Sequence, residues 1–350
     1  MEAAMNFHPS HPLQAFWNLA AAPIQAMALE QALEHRLFTL LAQPATAASV
    51  AQQLGLNAAS TAVWLDLLWS MDLLVRHVPA GKAEPGYAAS PLAARFFVDA
   101  SPENCAQSWQ YRARSLARFA MQWCTLLREG FEPDGRTKEG AAASTGSWAQ
   151  AAREQIGQEQ RVVTAPAVLH LMDALPPLPR QGRFLDLGGG PGHVAIALAR
   201  RLPGWRGTVC DQSETAEVAQ DNIRAAGLSD SLEAMGRDLS HEAIGGGCDL
   251  IWCSSVLHFL HDPQAALSKM FEALKPGGLL LLAHAELADD PVLAARVMPF
   301  YAGVMLRGNH LPQPGEVAGM MARAGFAGIH ALGRIDFPMA PVWVHMGRRP

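Results

Sequence analysis

The chain has little charge and few cysteines. Charged residues make up 17% of its 350 residues, the net charge is −5, and no long basic run occurs, so an electrostatic nucleic-acid or membrane footprint is not expected. The five cysteines lack C-x-x-C spacing, which argues against a disulfide framework or a zinc ribbon. The start has no signal-peptide pattern, and no apolar run without charges and prolines reaches membrane-spanning length. We therefore expect a cytoplasmic protein that binds a small molecule.

The first hundred residues are predicted to be mainly helical. Leu29, Leu33 and Leu37 recur at helical spacing, and Thr46 precedes an apolar-periodic run as an N-cap does. A second helix and the stretch VRHVPAGKAEPGYAAS then complete a helix-turn-helix followed by a β-wing. Residues 1–95 carry four basic and six acidic side chains. Because phosphate binding needs a basic face, this winged helix is predicted to serve packing or dimerisation and not DNA binding.

The rest of the chain changes pattern once. Residues 101–175 read as helices interrupted by a turn-rich stretch at 129–147, and after PPLPRQG short apolar runs alternate with helical segments. This alternation predicts an α/β, Rossmann-like domain with a mostly parallel sheet and helices on both faces. We expect three parts, which are a winged-helix domain (1–100), a helical connector (101–178) and a catalytic domain (179–350).

A glycine-rich turn follows the first predicted strand of the last part. It reads FLDLGGGPGH, with D-x-G-x-G-x-G spacing from Asp186 through Gly188 and Gly190, and His193 occupies the place where a dinucleotide fingerprint has its last glycine. Glycines there let the backbone turn tightly beneath a ligand. The spacing therefore argues against an NAD-type dehydrogenase.

Acidic residues end the next two predicted strands. Asp211 follows Asp186 by 25 residues and can accept hydrogen bonds from both hydroxyls of a ribose. Asp238 and Leu239 end the third strand and offer a carboxylate for an exocyclic amine and an apolar face for a purine ring. Carboxyl ends of parallel strands meet at one edge of a sheet, so these residues predict a site for an adenosine-containing cofactor.

With these residues in place, the sequence resembles the small-molecule O-methyltransferases that carry an N-terminal winged-helix dimerisation domain. The resemblance covers nearly the whole chain and rests on LDLGGGPG (185–192), CDQ (210–212), GRDL (236–239), SSVLHFL (254–260) and EALKPGGLLLLAH (272–284). It implies S-adenosylmethionine as cofactor, an intertwined homodimer, a small acceptor in secondary metabolism covered by the connector, and His258 as catalytic base. The cofactor-binding residues it indicates, together with those of the glycine turn, are Asp186, Gly188, Gly190, Asp211, Asp238, Leu239, Ser254 and Ser255.

The chain departs from this family around the predicted base. Phe259 and Leu260 stand where an acidic or amide residue and a tryptophan are usual, His284 stands where a glutamate orients the base, and His310 falls near a second supporting glutamate. We expect His258, His284 and His310 to converge on one catalytic pocket. Two readings follow: His258 acts as general base for O-methylation, or His258 and His310 hold a transition metal such as Fe or Zn. The second reading resembles a branch that C-methylates α-keto acids.

The acceptor is less well indicated. Arginines at Arg112, Arg114, Arg153 and Arg161 precede the catalytic domain and could pair with a substrate carboxylate. Few aromatic residues occur in this region, which favours a small, polar acceptor. A non-catalytic, ligand-sensing relative of the family is a further alternative, because the usual glutamates are missing.

Overall fold

The computed structural model describes residues 11–78, 84–130 and 148–350. The chain divides into two compact units, of which the first ends at Ala113 and the second begins at Arg114. The separate connector expected at 101–178 remains a prediction, and the turn-rich stretch 131–147 and most of the wing tip lie outside the described residues.

The first unit is a helical domain with a small antiparallel sheet. Its helices are α1 (Gln14–Glu34), α2 (Leu37–Leu40), α3 (Ala47–Leu54), α4 (Ala58–Ser70), α5 (Pro91–Phe97) and the start of α6 (Ala106–Glu129). Its strands are β1 (Ala45–Thr46), β2 (Leu74–His77) and β3 (Gly86–Ala89), in the order β1-β3-β2. The side chains of Thr46, Asn57 and Ser90 cap α3, α4 and α5, which explains where these helices begin.

The second unit contains a seven-stranded sheet in the order β6-β5-β4-β7-β8-β10-β9. Its strands are β4 (Arg183–Leu187), β5 (Arg206–Asp211), β6 (Leu232–Gly236), β7 (Cys248–Ser254), β8 (Leu274–His284), β9 (Ala327–Ile335) and β10 (Val342–Arg348). Strands β4 to β8 pair in parallel, whereas β10 runs antiparallel to both neighbours. The mostly parallel sheet is therefore confirmed. The strand order reverses at β4, where ligands bind in sheets of this kind.

Helices cover both faces of this sheet. They are α7 (Ala165–Asp173), α8 (His193–Arg201), α9 (Ser213–Ala225), α10 (Pro263–Ala273), α11 (Pro291–Met305) and α12 (Glu316–Arg323). Along β8, Leu279 and Leu281 enter one apolar core while Leu280 and Leu282 enter the other. Alternate residues of a strand point to opposite faces, so a strand buried on both faces reads as the continuous apolar run seen in the sequence.

An irregular helical segment precedes α7. Two π-helical turns, Ala152–Ile156 and Gln160–Thr164, flank one α-helical turn, Gly157–Glu159. Such π-turns occur frequently at functional sites. This segment, named the π segment below (152–164), contacts the glycine turn of the catalytic domain.

Candidate active site

The glycine turn joins β4 to α8 in a conformation that only glycine adopts easily. Gly188 and Gly190 have φ angles of +68° and +56°. A Cβ atom on Gly188 would lie 2.2 Å from Cγ2 of Val256, so no side chain fits there. The turn therefore brings bare backbone to the carboxyl end of the central strand, as a closely bound ligand requires.

Asp211, the last residue of β5, is fixed against this turn. Its Oδ2 accepts a hydrogen bond from the Gly190 N–H at 2.8 Å, and its Oδ1 accepts one from the Gln212 N–H at 2.8 Å. Burial raises the pKa of this carboxyl, although the two N–H donors oppose the shift. Each carboxylate oxygen can accept a further hydrogen bond. The geometry thus suits the predicted acceptor of ribose hydroxyls.

Asp186 is buried directly against the turn. A Cβ on Gly189 would lie 2.8 Å from its Oδ2, and this oxygen has no hydrogen-bond partner within the described part of the chain. Burial, and then the nearby Asp211, raises the pKa of Asp186 to about 7. Its role in cofactor binding remains a prediction.

The residues after β6 lie at the same edge of the sheet. The Arg237 N–H donates to the Asp211 carbonyl at 2.8 Å, which ties the loop to the end of β5. The Asp238 carboxylate is half exposed and accepts the Ser240 N–H at 2.8 Å. Leu239 packs against the apolar core, and Lys269 donates to its carbonyl at 2.6 Å. Asp211, Asp238 and Leu239 therefore lie at one edge of the sheet, and their contact with an adenosine-containing cofactor remains a prediction.

The chain turns sharply after β7. Ser254 ends the strand, and Ser255 has a φ of +56°, an unfavourable value for a serine, while its N–H donates to the Ala283 carbonyl at 2.9 Å. The turn places Val256 against Gly188 and starts a short 3₁₀ helix, Leu257–Phe259, which carries His258. His258, the predicted base, thus lies two residues after the side chain that packs against Gly188.

His258 and His284 form a buried pair. The Nδ1 atom of His258 lies 3.2 Å from Nε2 of His284, and Nδ1 of His284 lies 2.6 Å from the Ala285 carbonyl oxygen. Burial, opposed by this carbonyl contact, lowers the pKa of His284 to about 4, so the ring is neutral at pH 7.

The hydrogen bonds fix the tautomers of both rings. A carbonyl oxygen only accepts, so Nδ1 of His284 carries the proton and its Nε2 is an acceptor. Nδ1 of His258 must then be the donor in the pair. A neutral His258 therefore has its lone pair on Nε2, the nitrogen on the other side of the ring.

Aromatic rings and one amide hold His258 in place. The Tyr301 ring on α11 stands nearly perpendicular to the imidazole, with 5.2 Å between the ring centroids, and the Phe259 centroid is 4.0 Å away. The Asn309 side-chain amide donates to the His258 carbonyl at 2.8 Å. Asn309 gave no signal in the sequence, because its contact spans 51 residues of the chain.

His310 has a different partner from the one expected. Its Nε2 lies 2.7 Å from Oε1 of Glu316, and its side chain is half exposed. In residues 11–78, 84–130 and 148–350, no three His, Cys, Asp or Glu side chains are grouped as metal ligands. Of the three histidines, His258 and His284 are in direct contact, whereas the His310 ring pairs with Glu316 and interacts with His284 through its charge. A catalytic role for His310 remains a prediction, and a transition metal held by His258 and His310 finds no support.

A second buried polar pair lies close to the first. Glu286 follows His284 by two residues, and its Oε1 lies 2.7 Å from Nε2 of His345 on β10. His345 was not predicted from the sequence. It could have been found as the one ionisable side chain inside the apolar run VWVHM.

The polar side chains of the π segment are directed at the catalytic domain. Arg153 pairs with Asp221 of α9 at 3.2 Å, and Nη1 of Arg161 lies 3.3 Å from Nε2 of His193. Gln160 was not predicted from the sequence as a site residue. Its side-chain amide forms two hydrogen bonds with the backbone of the glycine turn. The observed partners of Arg153 and Arg161 are therefore protein side chains.

Comparisons with known proteins agree with this geometry. The methyltransferase domain family matches residues 185–280, and the O-methyltransferase dimerisation domain family matches residues 17–99. The 3-hydroxy-5-methyl-1-naphthoate 3-O-methyltransferase of Streptomyces sahachiroi is 25% identical over 79% of this chain and 79% of its own. Mouse acetylserotonin O-methyltransferase is 28% identical over 87% of this chain and 80% of its own.

A solved structure shares the fold. Human N-acetylserotonin methyltransferase, in complex with S-adenosylmethionine, superposes with a TM-score of 0.79 at 21% identity and 99% coverage of both chains. The dimerisation domain supports a homodimer. Within the described ranges no helix is both long and apolar enough to cross a membrane. From its two matched domains, its fold and the site at the carboxyl edge of its sheet, the chain belongs to the S-adenosylmethionine-dependent methyltransferases with an O-methyltransferase dimerisation domain.

Proposed function

We propose that the protein methylates an acidic hydroxyl group, phenolic or enolic, on a small aromatic secondary metabolite, with His258 as general base and His284 as the group that orients it. The observation that carries this proposal is the buried hydrogen bond from Nδ1 of His258 to Nε2 of His284. The hydroxylated acceptors in the names of the Streptomyces and mouse relatives support the same choice of oxygen.

The residues at the sheet edge fit the cofactor. The glycine turn leaves no room for side chains at Gly188, and the Asp211 carboxylate is fixed by two backbone N–H groups. Asp238 and Leu239 would hold the adenine, and Ser254 and Ser255 would border the site from β7. When bound, S-adenosylmethionine supplies an electrophilic methyl group on a sulfonium.

His258 removes the hydroxyl proton of the acceptor. As the acceptor oxygen bonds the methyl carbon, its hydroxyl proton moves to Nε2 of His258, and the electron pair of the broken carbon–sulfur bond stays on sulfur. The bond to His284 persists throughout, because Nδ1 of His258 is a donor in both the neutral and the protonated ring. His284 therefore needs no change of protonation during the reaction.

The neutral charge of His284, the group that orients His258, bears on how acidic the acceptor hydroxyl must be. A carboxylate beside an imidazole favours its charged form and raises its pKa, whereas the neutral His284 supplies no such charge. Without such a charge, proton removal is easier from a hydroxyl whose pKa is about 10, as in tyrosine, than from a much less acidic alcohol.

A panel of acceptors tests the proposal. Purified protein with methyl-labelled cofactor would be incubated with hydroxynaphthoates, naphthols and N-acetylserotonin, and with saturated alcohols and aromatic amines of similar size. We expect label on the aromatic hydroxyls alone. Label on amines or alcohols, or cofactor binding without transfer to any member, would overturn the proposed acceptor class, and the last result would favour the non-catalytic alternative.

A further inference from the structure

One side chain of the π segment, which precedes the sheet in the chain, holds both ends of the glycine turn. The Gln160 amide nitrogen, Nε2, donates to the Gly189 carbonyl at 3.0 Å, and its Oε1 accepts the His193 N–H at 3.1 Å. Nε2 also lies 3.3 Å from the place of a Cβ on Gly190. A single amide thus spans the part of the turn between the strand and α8, and it does so by using both its donor and its acceptor.

The contact is reinforced on either side of Gln160. Nη1 of Arg161 lies 3.3 Å from Nε2 of His193. Burial, and then the Arg161 charge, lowers the pKa of His193 to about 4, so at neutral pH this ring accepts the guanidinium hydrogen bond. Arg153 pairs with Asp221 one π-turn earlier. The π segment is therefore attached to the first helices that follow β4 and β5.

The same stretch of chain reaches the predicted base. Trp148 lies four residues before the π segment, and its ring centroid is 6.2 Å from that of Phe259. The Phe259 ring is itself in contact with His258. Residues 148–164 thus run from a neighbour of His258 to the glycine turn.

We propose that Gln160 is a positioning residue for the cofactor, which sets the conformation of the glycine turn from the π segment. Gly189 and His193 are backbone partners, so the amide acts on the loop itself and not on a neighbouring side chain. Without the Gln160 amide, the Gly189 carbonyl loses its donor and the His193 N–H loses its acceptor. The glycine turn is then less well fixed when the cofactor binds. Cofactor affinity should then fall although no residue predicted to touch the cofactor has changed.

Titration of the full-length protein with S-adenosylhomocysteine tests this assignment and does not depend on the acceptor. Two lost hydrogen bonds should make Gln160→Leu bind about tenfold more weakly or worse. Gln155→Leu, the same change five residues earlier in the π segment, should bind like the wild type. Equal affinity for Gln160→Leu and the wild type, or an equal loss in both variants, would overturn the proposal.

A second variant separates positioning from simple folding. Gln160→Glu keeps an acceptor for the His193 N–H but turns a carboxylate toward the Gly189 carbonyl. Protonation restores a donor, so its affinity relative to the wild type should recover as the pH is lowered from 8 to 5. A ratio that stays constant over this range would contradict the role of the Gly189 hydrogen bond. Loss of turnover in His258 variants with normal S-adenosylhomocysteine binding would leave this proposal standing.

Discussion

Nδ1 of His258 and Nε2 of His284 lie 3.2 Å apart in a site buried from solvent, and the Ala285 carbonyl decides which of the two rings is the donor. The relationship places a neutral imidazole where the resembled family has a carboxylate. This difference leads to specific expectations for turnover and for its dependence on pH.

Replacing the orienting group should change turnover and not cofactor affinity. His284→Leu removes the acceptor for Nδ1 of His258, and loss of tautomer control should lower kcat about tenfold or more, because orienting groups of catalytic histidines have effects of at least this size. S-adenosylhomocysteine should bind as before. An unchanged kcat would show that the pair is not functional.

A carboxylate at the same position should have the opposite effect on basicity. His284→Glu favours the charged form of His258 and raises its pKa. Since the reaction needs neutral His258, the rising limb of the profile of kcat against pH should move to higher pH. His330→Gln, an exposed change on β9, is the control and should leave the limb in place. A limb that does not move in His284→Glu would separate His284 from the base.

The Asp211 carboxylate should be needed for the cofactor. Asp211→Asn keeps the shape of the side chain but removes the charge and one acceptor, so S-adenosylhomocysteine should bind about tenfold more weakly. Thermal stability should fall only modestly, because the amide oxygen still accepts the Gly190 N–H although the Gln212 N–H loses its acceptor. Calorimetric titration beside a melting curve checks both statements, and wild-type affinity would move the ribose site elsewhere.

Burial of Asp186 should appear in the pH dependence of folding. Its pKa rises from 3.8 to about 7 in the folded chain. The folded state therefore binds a proton that the unfolded state has lost, and this contribution to stability disappears as the pH rises from about 4 to about 7. At 1.36 kcal/mol for each pKa unit, the free energy of unfolding should fall on the order of 4 kcal/mol across this window.

Asp186→Asn removes this titration. The free energy of unfolding, measured with urea, should fall with rising pH in the wild type but not in Asp186→Asn. The difference between the variant and the wild type should therefore shift in favour of the variant between pH 4 and pH 7, whatever its value at pH 4. A difference that is the same at pH 4 and pH 8 would mean that folding does not raise the pKa of Asp186.

The sequence predicted what is local in the chain. The glycine turn, Asp211 and the mostly parallel sheet follow from patterns whose residues are close together, and His284 was visible as a polar end to an apolar strand. Gln160 and Asn309 could not be predicted, because they act on residues about 30 and 50 positions away, the amide of Gln160 at Gly189 and that of Asn309 at His258. The contact of His310 with Glu316 was likewise not predicted from the sequence.

The rate of a single turnover of His258→Gln, saturated with cofactor and measured against pH with a naphthol acceptor, tests the central claim most directly. Removing a general base should slow methyl transfer about 100-fold or more at pH 7. The rate should then rise tenfold per pH unit toward the acceptor's own pKa, where the naphtholate needs no base. A wild-type rate at pH 7, or a slow rate that does not change with pH, would contradict a proton transfer to His258.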